Sequence, residues 1–170
     1  PTRRGDAGTR SLNFALQAAL NPPKPGKQER RFGELIFREG DRVMQTRNDY
    51  DVVWQKEDGT AGTGIFNGDV DKIAKIDPSG ELLEIVFDDR TATYTSDMLA
   101  ELDMAYAMTV HKAQGSEYRG VVFVGAPCAP SLMVRGVLYT AITRARELLV
   151  IVGDDSAVNK MAENDRRSRR

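Results

Sequence analysis

The chain has 170 residues, 41% hydrophobic and 29% charged, enough for one ordinary core or for a core with a small inserted lobe. No apolar run reaches the roughly 18 residues that would span a bilayer. The single cysteine, Cys128, excludes an intramolecular disulfide and has no second thiol or histidine with which to hold a metal, which fits a reducing cytoplasm. The formal net charge of −1 hides a pattern: residues 48–103 carry 14 acidic and 4 basic side chains, whereas 1–47 carry 10 basic and 5 acidic and 104–170 carry 10 basic and 6 acidic. A basic front and back around an acidic middle predict two lobes, only one of them suited to a polyanion.

In chain order, "TRSLNFALQAAL" (9–20) predicts an amphipathic helix. Its apolar face is Leu12, Leu16, Ala19 and Leu20, Thr9 or Ser11 can cap its start, and Asn21-Pro22-Pro23 stops it. "PPKPGKQERR" reads as a loop or linker. "DRVMQTR" is strand-like, and "DVDKIAKID" and "LLEIVFD" flank the turn signal "PSG", with Leu83, Ile85 and Phe87 on one face at a period of two. "DDR" turns again into "TATYT", and "QKEDGTAGTG" (55–64) reads as a hairpin tip. Short strands joined by Gly- and Asp-rich turns over about 60 residues predict a small β-barrel. The last third returns to α/β alternation: "AMTV" as a short strand, "HKAQ" as one helical turn, and "GVVFVGA" and "ELLVIVG" as strands buried on both faces. Between those two, "SLMVRGVLYTAITRAR" reads as a helix of about four turns, which makes a parallel crossover unit.

The phosphate-binding loop G-x-x-x-x-G-K-[ST] is missing: "GDAGTRS" and "GTGIFNGD" both lack its Lys-Ser/Thr end. Asp88 and Asp89 read as a hairpin turn and Asp154 as a helix cap rather than as metal ligands. Two stretches carry positive signals. In "TVHKAQGSEY" (109–118) a hydroxyl, a cation and free backbone N–H groups gather around a short turn, a combination that suits phosphate contact and that a plain polar loop also produces. In "YTAITRAR" (139–146) Arg144 sits near a helix end, where an arginine can reach a γ-phosphate held by another domain or can simply satisfy the helix dipole. For the second role Arg146 is the better placed of the two.

These stretches carry a resemblance. "AYAMTVHKAQGSEYRGVVFV" followed by "LYTAITRARELLVIVG" resembles motifs V and VI of superfamily 1 helicases, in the RecD-like branch. "PTRRGDAGTRSLNFALQAALNPP" resembles the motif IV region of that branch's second motor domain, and "FREGDRVMQTRNDYD" and "GIFNGDVDKI" resemble the edges of the SH3-like barrel inserted into it. The chain departs from that pattern in Arg3, where an aromatic is frequent, in Asp71, which replaces a glycine, and in a longer 52–64 segment.

The resemblance implies an α/β fold: a RecA-like parallel sheet with helices on both faces, lacking the P-loop, plus an inserted SH3-like β-barrel. Residues 1–40 and 101–165 would form the discontinuous motor domain, 41–100 the barrel, and 166–170 a basic tail of a segment excised from a larger protein. The implied activity is ATP-driven 5′–3′ DNA unwinding, of use in DNA repair and recombination in the bacterial cytoplasm or nucleoid. ATP and Mg2+ would be held mainly by an N-terminal motor domain of the same parent chain, so this segment alone is expected to bind neither and to be inactive. By position, Arg144 matches the arginine finger, and Gln114, Gly115 and Glu117 match the nucleotide and coupling side. Thr109, His111 and Lys112, with Arg4 and Gly5 in the motif IV loop, match contacts to single-stranded DNA. No residue matches a metal ligand, and no membrane contact is implied. The competing reading is a free-standing module that binds nucleic acid or protein.

Overall fold

A computed structural model describes residues 5–165 of the chain. The chain divides into two compact units, residues 13–107 and residues 1–12 with 108–170.

The first helix, α1 (Thr9–Leu20), has the predicted bounds but not the predicted face. Leu20 is 69% exposed, and the buried stripe is polar: Thr9, Asn13, Gln17 and Asn21, four residues apart. Backbone groups of two strands, Leu35–Arg38 and Leu102–Met104, and of the loops that follow them decide this. Asn13 accepts from the Ala107 N–H (2.7 Å) and donates to the carbonyls of Met104 (3.1 Å) and Ala107 (2.9 Å). Gln17 donates to the Ile36 carbonyl (2.7 Å) and Asn21 to that of Glu39 (3.1 Å). Unpaired buried polar backbone is costly, so amide side chains displace the leucines from the packed face. Ser11 lies inside the first turn, and its hydroxyl donates to the Gly5 carbonyl (3.0 Å) instead of capping the helix.

Residues 13–107 then build antiparallel structure. β1 (Glu29–Phe32) and β2 (Leu35–Arg38) form a hairpin, so the predicted linker ends in a strand. A seven-stranded antiparallel sheet follows: β3 (Arg42–Gln45), β4 (Asp49–Gln55), β5 (Ala61–Ile65), β6 (Val70–Ile76), β7 (Leu82–Phe87), β8 (Arg90–Thr95) and β9 (Leu102–Met104), in the order β5-β4-β8-β7-β6-β3-β9. Leu83, Ile85 and Phe87 all point inward as their alternation requires, packing with Val43, Ile73 and Tyr94. Phe37 of β2 joins the same core, which places 13–40 with this unit rather than with the α/β lobe. The β7–β8 connection is the predicted two-residue turn: Phe87 pairs with Arg90, and Asp88 takes the left-handed conformation (φ 54°) that tight hairpin turns demand.

The Asp41 carboxylate is fully buried beneath α1. It accepts from Gln17 Nε2 (2.6 Å), Asn21 Nδ2 (2.7 Å), the Arg38 N–H (2.7 Å) and the Tyr106 hydroxyl (2.8 Å), so its charge is met by four donors. Burial, and then Asp41 itself, push the Tyr106 phenol up to about 12.

The other unit carries β10 (Tyr118–Gly125), α2 (Arg135–Ile142), β11 (Ala145–Gly153) and α3 (Asp155–Glu163). β10 and β11 are parallel with α2 between them, as the crossover reading requires. Three local expectations fail here. "AMTV" forms bends and turns rather than a strand. The long helix shrinks to eight residues. At its end the Thr143 hydroxyl donates to the Tyr139 and Thr140 carbonyls (2.9 and 3.2 Å), and Ala145 pairs with Tyr118, which draws Ala145 and Arg146 into β11. The strands are also not buried on both faces: Leu148 to Val152 are 38–59% exposed, since β11 pairs only with β10 among the described residues. Phe123, Ala141 and Met161 form a small core where α2 and α3 pack on β10. Asp154 caps α3, accepting from the Ser156 N–H (2.8 Å), and this bonding to Ser156 holds its carboxyl below the usual range.

Candidate functional site

The 109–118 stretch is a coil of successive turns. The Lys112 and Ala113 N–H groups both reach the Thr109 carbonyl (3.0 and 3.1 Å), Gln114 N–H reaches that of His111 (3.3 Å), and Ser116 N–H that of Ala113 (3.2 Å). The Thr109 hydroxyl also accepts from the Lys112 N–H (3.3 Å), so it braces the turn from within. Ala113 is buried and anchors the coil, while His111, Gln114, Gly115 and Glu117 are exposed. Gly115 ends the coil at φ 92°, a conformation that L side chains rarely adopt, with open space around its Cα. Beneath the start of the coil lies a cavity of about 170 Å³, lined by Thr109, Val110, His111, Phe123, Leu132 and Met161 among others.

Arg144 meets this coil from the end of α2. Its Nη1 donates to the Ser116 carbonyl (3.0 Å), its Nε to the Thr140 carbonyl (3.1 Å) and its Nη2 to the Thr143 hydroxyl (3.3 Å). The Arg144 carbonyl in turn accepts from the Tyr118 N–H (2.8 Å). The guanidinium therefore lies between the last turn of α2 and the residue following Gly115. All three acceptors are neutral, and among the described residues no carboxylate pairs with it. Its neighbours differ: Arg146 pairs with Glu117 (3.1 Å), and Arg119 with Glu147 through two 3.1 Å bonds. Both of those pairs are largely exposed and add little stability.

The structure thus brings Arg144 to the Gly115–Glu117 end of the coil and leaves Thr109, His111 and Lys112 at its other end. The dipole-satisfying role assigned by position to Arg146 falls to Arg144, whose Nε occupies a carbonyl of the last turn. Gly5 lies in the turn before α1, its carbonyl accepting from the Gly8 N–H (2.9 Å), and Arg4 lies outside the described residues, as does the 166–170 tail. Ser116 and Thr140, which seat the guanidinium, escape the sequence reading. Thr140 stands in the last turn of α2, four residues before Arg144 in the turn that follows, a near-helical spacing that signals contact, whereas the Ser116 carbonyl is a tertiary partner without a local signal. Among the described residues no three His, Cys, Asp or Glu side chains gather as a metal site.

Two family models match the chain: an ATP-dependent RecD-like DNA helicase SH3 domain over residues 12–87 and a UvrD-like helicase C-terminal domain over residues 104–152. The ATP-dependent RecD2 DNA helicase of Deinococcus radiodurans is 36% identical over 169 residues, covering 99% of this chain and 21% of that protein. The RecBCD enzyme subunit RecD of Mycolicibacterium smegmatis is 29% identical, covering 95% of this chain and 26% of that protein. The chain therefore spans about a fifth to a quarter of these relatives. Among solved structures, a Pif1 helicase from Bacteroides, in complex with ADP-AlF3 and ssDNA, aligns with TM-score 0.54 at 18% identity over 89% of this chain and 39% of its own. The Pif1 helicase from Candida albicans aligns at 0.51 and 15% identity, over 88% of this chain and 44% of its own. These two likenesses speak to fold: a parallel α/β motor layer with an SH3-like barrel.

Proposed function

Since the chain belongs to the RecD-like DNA helicase family, we propose that it is the C-terminal motor half of an ATP-dependent 5′–3′ helicase, with Arg144 as its arginine finger. Residues 1–40 and 101–165 correspond to the motor domain and 41–100 to the inserted barrel, although the last turns of α1 and the β1–β2 hairpin pack with the barrel strands.

The observation that supports this reading is the state of Arg144. It is a cation held by three neutral acceptors, with no carboxylate on it among the described residues. Arg146 and Arg119 each pair with a glutamate at the exposed surface. A guanidinium seated on carbonyl oxygens keeps its charge and can exchange a weak neutral acceptor for a phosphate oxygen, forming a stronger charge-assisted bond. Its Ser116 contact ties it to the Gly115–Glu117 end of the coil, so movement of one moves the other. Gln114, Gly115 and Glu117 then face the nucleotide side, and Thr109, His111 and Lys112, with Arg4 and Gly5, the single-stranded DNA. ATP with its Mg2+ is presented by the N-terminal motor domain of the parent chain, which acts in the cytoplasm or nucleoid.

The test is Arg144→Ala in the intact helicase, with DNA-stimulated ATP hydrolysis as the readout. The expected loss is about 10³–10⁵ in turnover, with single-stranded DNA affinity largely retained. Arg146→Ala, which breaks only an exposed pair, should keep most of the rate. A surviving rate above about a tenth in the Arg144 variant, or a larger loss at Arg146, removes the assignment.

A further inference from the structure

The outer face of the antiparallel unit carries a feature that the motor reading does not use. Tyr50 is 65% exposed and Phe66 is 42% exposed, and their rings meet edge to face at 5.7 Å and 74°. Val53, on the same strand as Tyr50, is 64% exposed, while its neighbour Val52 is buried in the core.

This aromatic pair is fixed from below. Phe66 lies against the β5 backbone at Gly64, where an added Cβ would come within 3.1 Å of its ring. The Phe66 N–H donates to Asp69 Oδ2 (3.1 Å), and the Asn67 N–H to Asn48 Oδ1 (2.9 Å), which ties the loop after β5 to the residue that precedes β4. Asn48 Nδ2 reaches the Tyr50 hydroxyl (3.5 Å). Exposed aromatic rings held in one arrangement lose little entropy on binding and mark interaction surfaces.

The charge around the pair selects the partner. Asp49, half-buried, and Asp51, exposed, flank Tyr50 in β4, and among the described residues neither is ion-paired; the Asp51 N–H donates to Asp49 Oδ1 (2.9 Å). Two cations are engaged: Arg90 stands 3.4 Å from Asp69, which the Phe66 N–H also reaches, and Arg47 stands 3.8 Å from Glu101. A nucleic-acid strand stacking on Tyr50 would bring its phosphates against unpaired carboxylates. A protein segment with lysine or arginine beside apolar or aromatic residues would meet complementary charge and a place for its apolar side chains.

We infer that the Tyr50–Phe66 face is a docking site for a basic, apolar or aromatic peptide segment of a protein partner. This inference does not depend on the role of Arg144, because none of its residues lies in the 109–146 region.

The 170-residue chain would be used to select from a random peptide library of about ten residues, with the Tyr50→Ser/Phe66→Ser double variant as counter-target. The consensus peptide and an oligothymidylate of about 12 nucleotides would then be titrated by fluorescence anisotropy. The expected consensus pairs Lys or Arg with apolar or aromatic residues, and each single variant weakens it by about tenfold or more. Both variants remove only exposed side chains, and unchanged thermal unfolding would confirm intact folding. Enrichment that ignores the double variant, a consensus without basic residues, or no enrichment at all overturns the inference. So does oligothymidylate binding that is lost in the Tyr50→Ser variant, which would make the face a nucleic-acid contact instead.

Discussion

At the scale of single residues, the informative side chains are those whose partners differ from what position alone suggests. Arg144 and Arg146 lie two apart, yet one rests on carbonyl oxygens and the other on a carboxylate. Among the described residues only the first is without a carboxylate partner. Tyr106 has an equally particular setting. Its phenol is raised to about 12 in the folded protein, against about 10 in an unfolded chain. The neutral form is favoured by folding, so this contribution is complete below about pH 10 and is lost as pH rises towards 12. Tyr94, buried and close to Asp49 and Glu101, is shifted the same way. Urea unfolding from pH 8.5 to about 11.5 should show stability falling more gently in Tyr106→Phe than in the parent chain. Parallel curves would mean that Asp41 and burial do not act on this phenol as described.

At the scale of elements, α1 is the clearest case of pattern and partner in conflict. Leu12, Leu16, Ala19 and Leu20 make a correct helical period, but Asn13, Gln17 and Asn21 share the same four-residue spacing and take the buried side. The amides win because the segments at 36–41 and 104–107 present carbonyls and an N–H to this side of the helix, and the amides bond them. The parallel pair has its own constraint at the far end. Gly125 and Gly153 stand opposite each other, and a Cβ on Gly153 would lie 2.3 Å from the Gly125 carbonyl oxygen at φ 132°. Because the obstacle is backbone, no rotamer change relieves it. Gly153→Ala should destabilise the β10–β11 unit by about 1–3 kcal/mol, visible as faster amide exchange along β11 while β6–β8 stay protected. Equal protection in both chains would show that the strand ends move apart without cost.

At the scale of the whole chain, two compact units share 170 residues. The antiparallel unit has a closed set of buried side chains, from Phe37 to Met104, and its own polar network around Asp41. The parallel unit leaves five consecutive apolar residues of β11 at the surface. The G-x-x-x-x-G-K-[ST] pattern occurs in the sequence of neither unit, so under the proposed function hydrolysis depends on residues outside these 170. The purified 170-residue chain should show no DNA-stimulated ATP hydrolysis above background, and only weak single-stranded DNA binding that falls steeply with salt. Turnover by this chain alone would refute the proposal that it is half of a motor.

Much of this was legible in the amino-acid order. Alternation in "LLEIVFD", the "PSG" and "DDR" turns, the paired apolar strands around a helix, and the motif stretches at 109–118 and 139–146 are local signals. They follow from backbone stereochemistry and side-chain period, which neighbours in sequence suffice to set. The tertiary structure alone decided which face of α1 is buried, where α2 stops, that residues 13–40 pack with the barrel strands, and that Arg144 rather than Arg146 stays uncompensated. Each of these depends on a partner far along the chain: Met104 and Ala107 for Asn13, Tyr118 for Ala145, the barrel core for Phe37, Ser116 for Arg144. A local period can specify a surface, but only the folded neighbour determines which groups on it go unsatisfied.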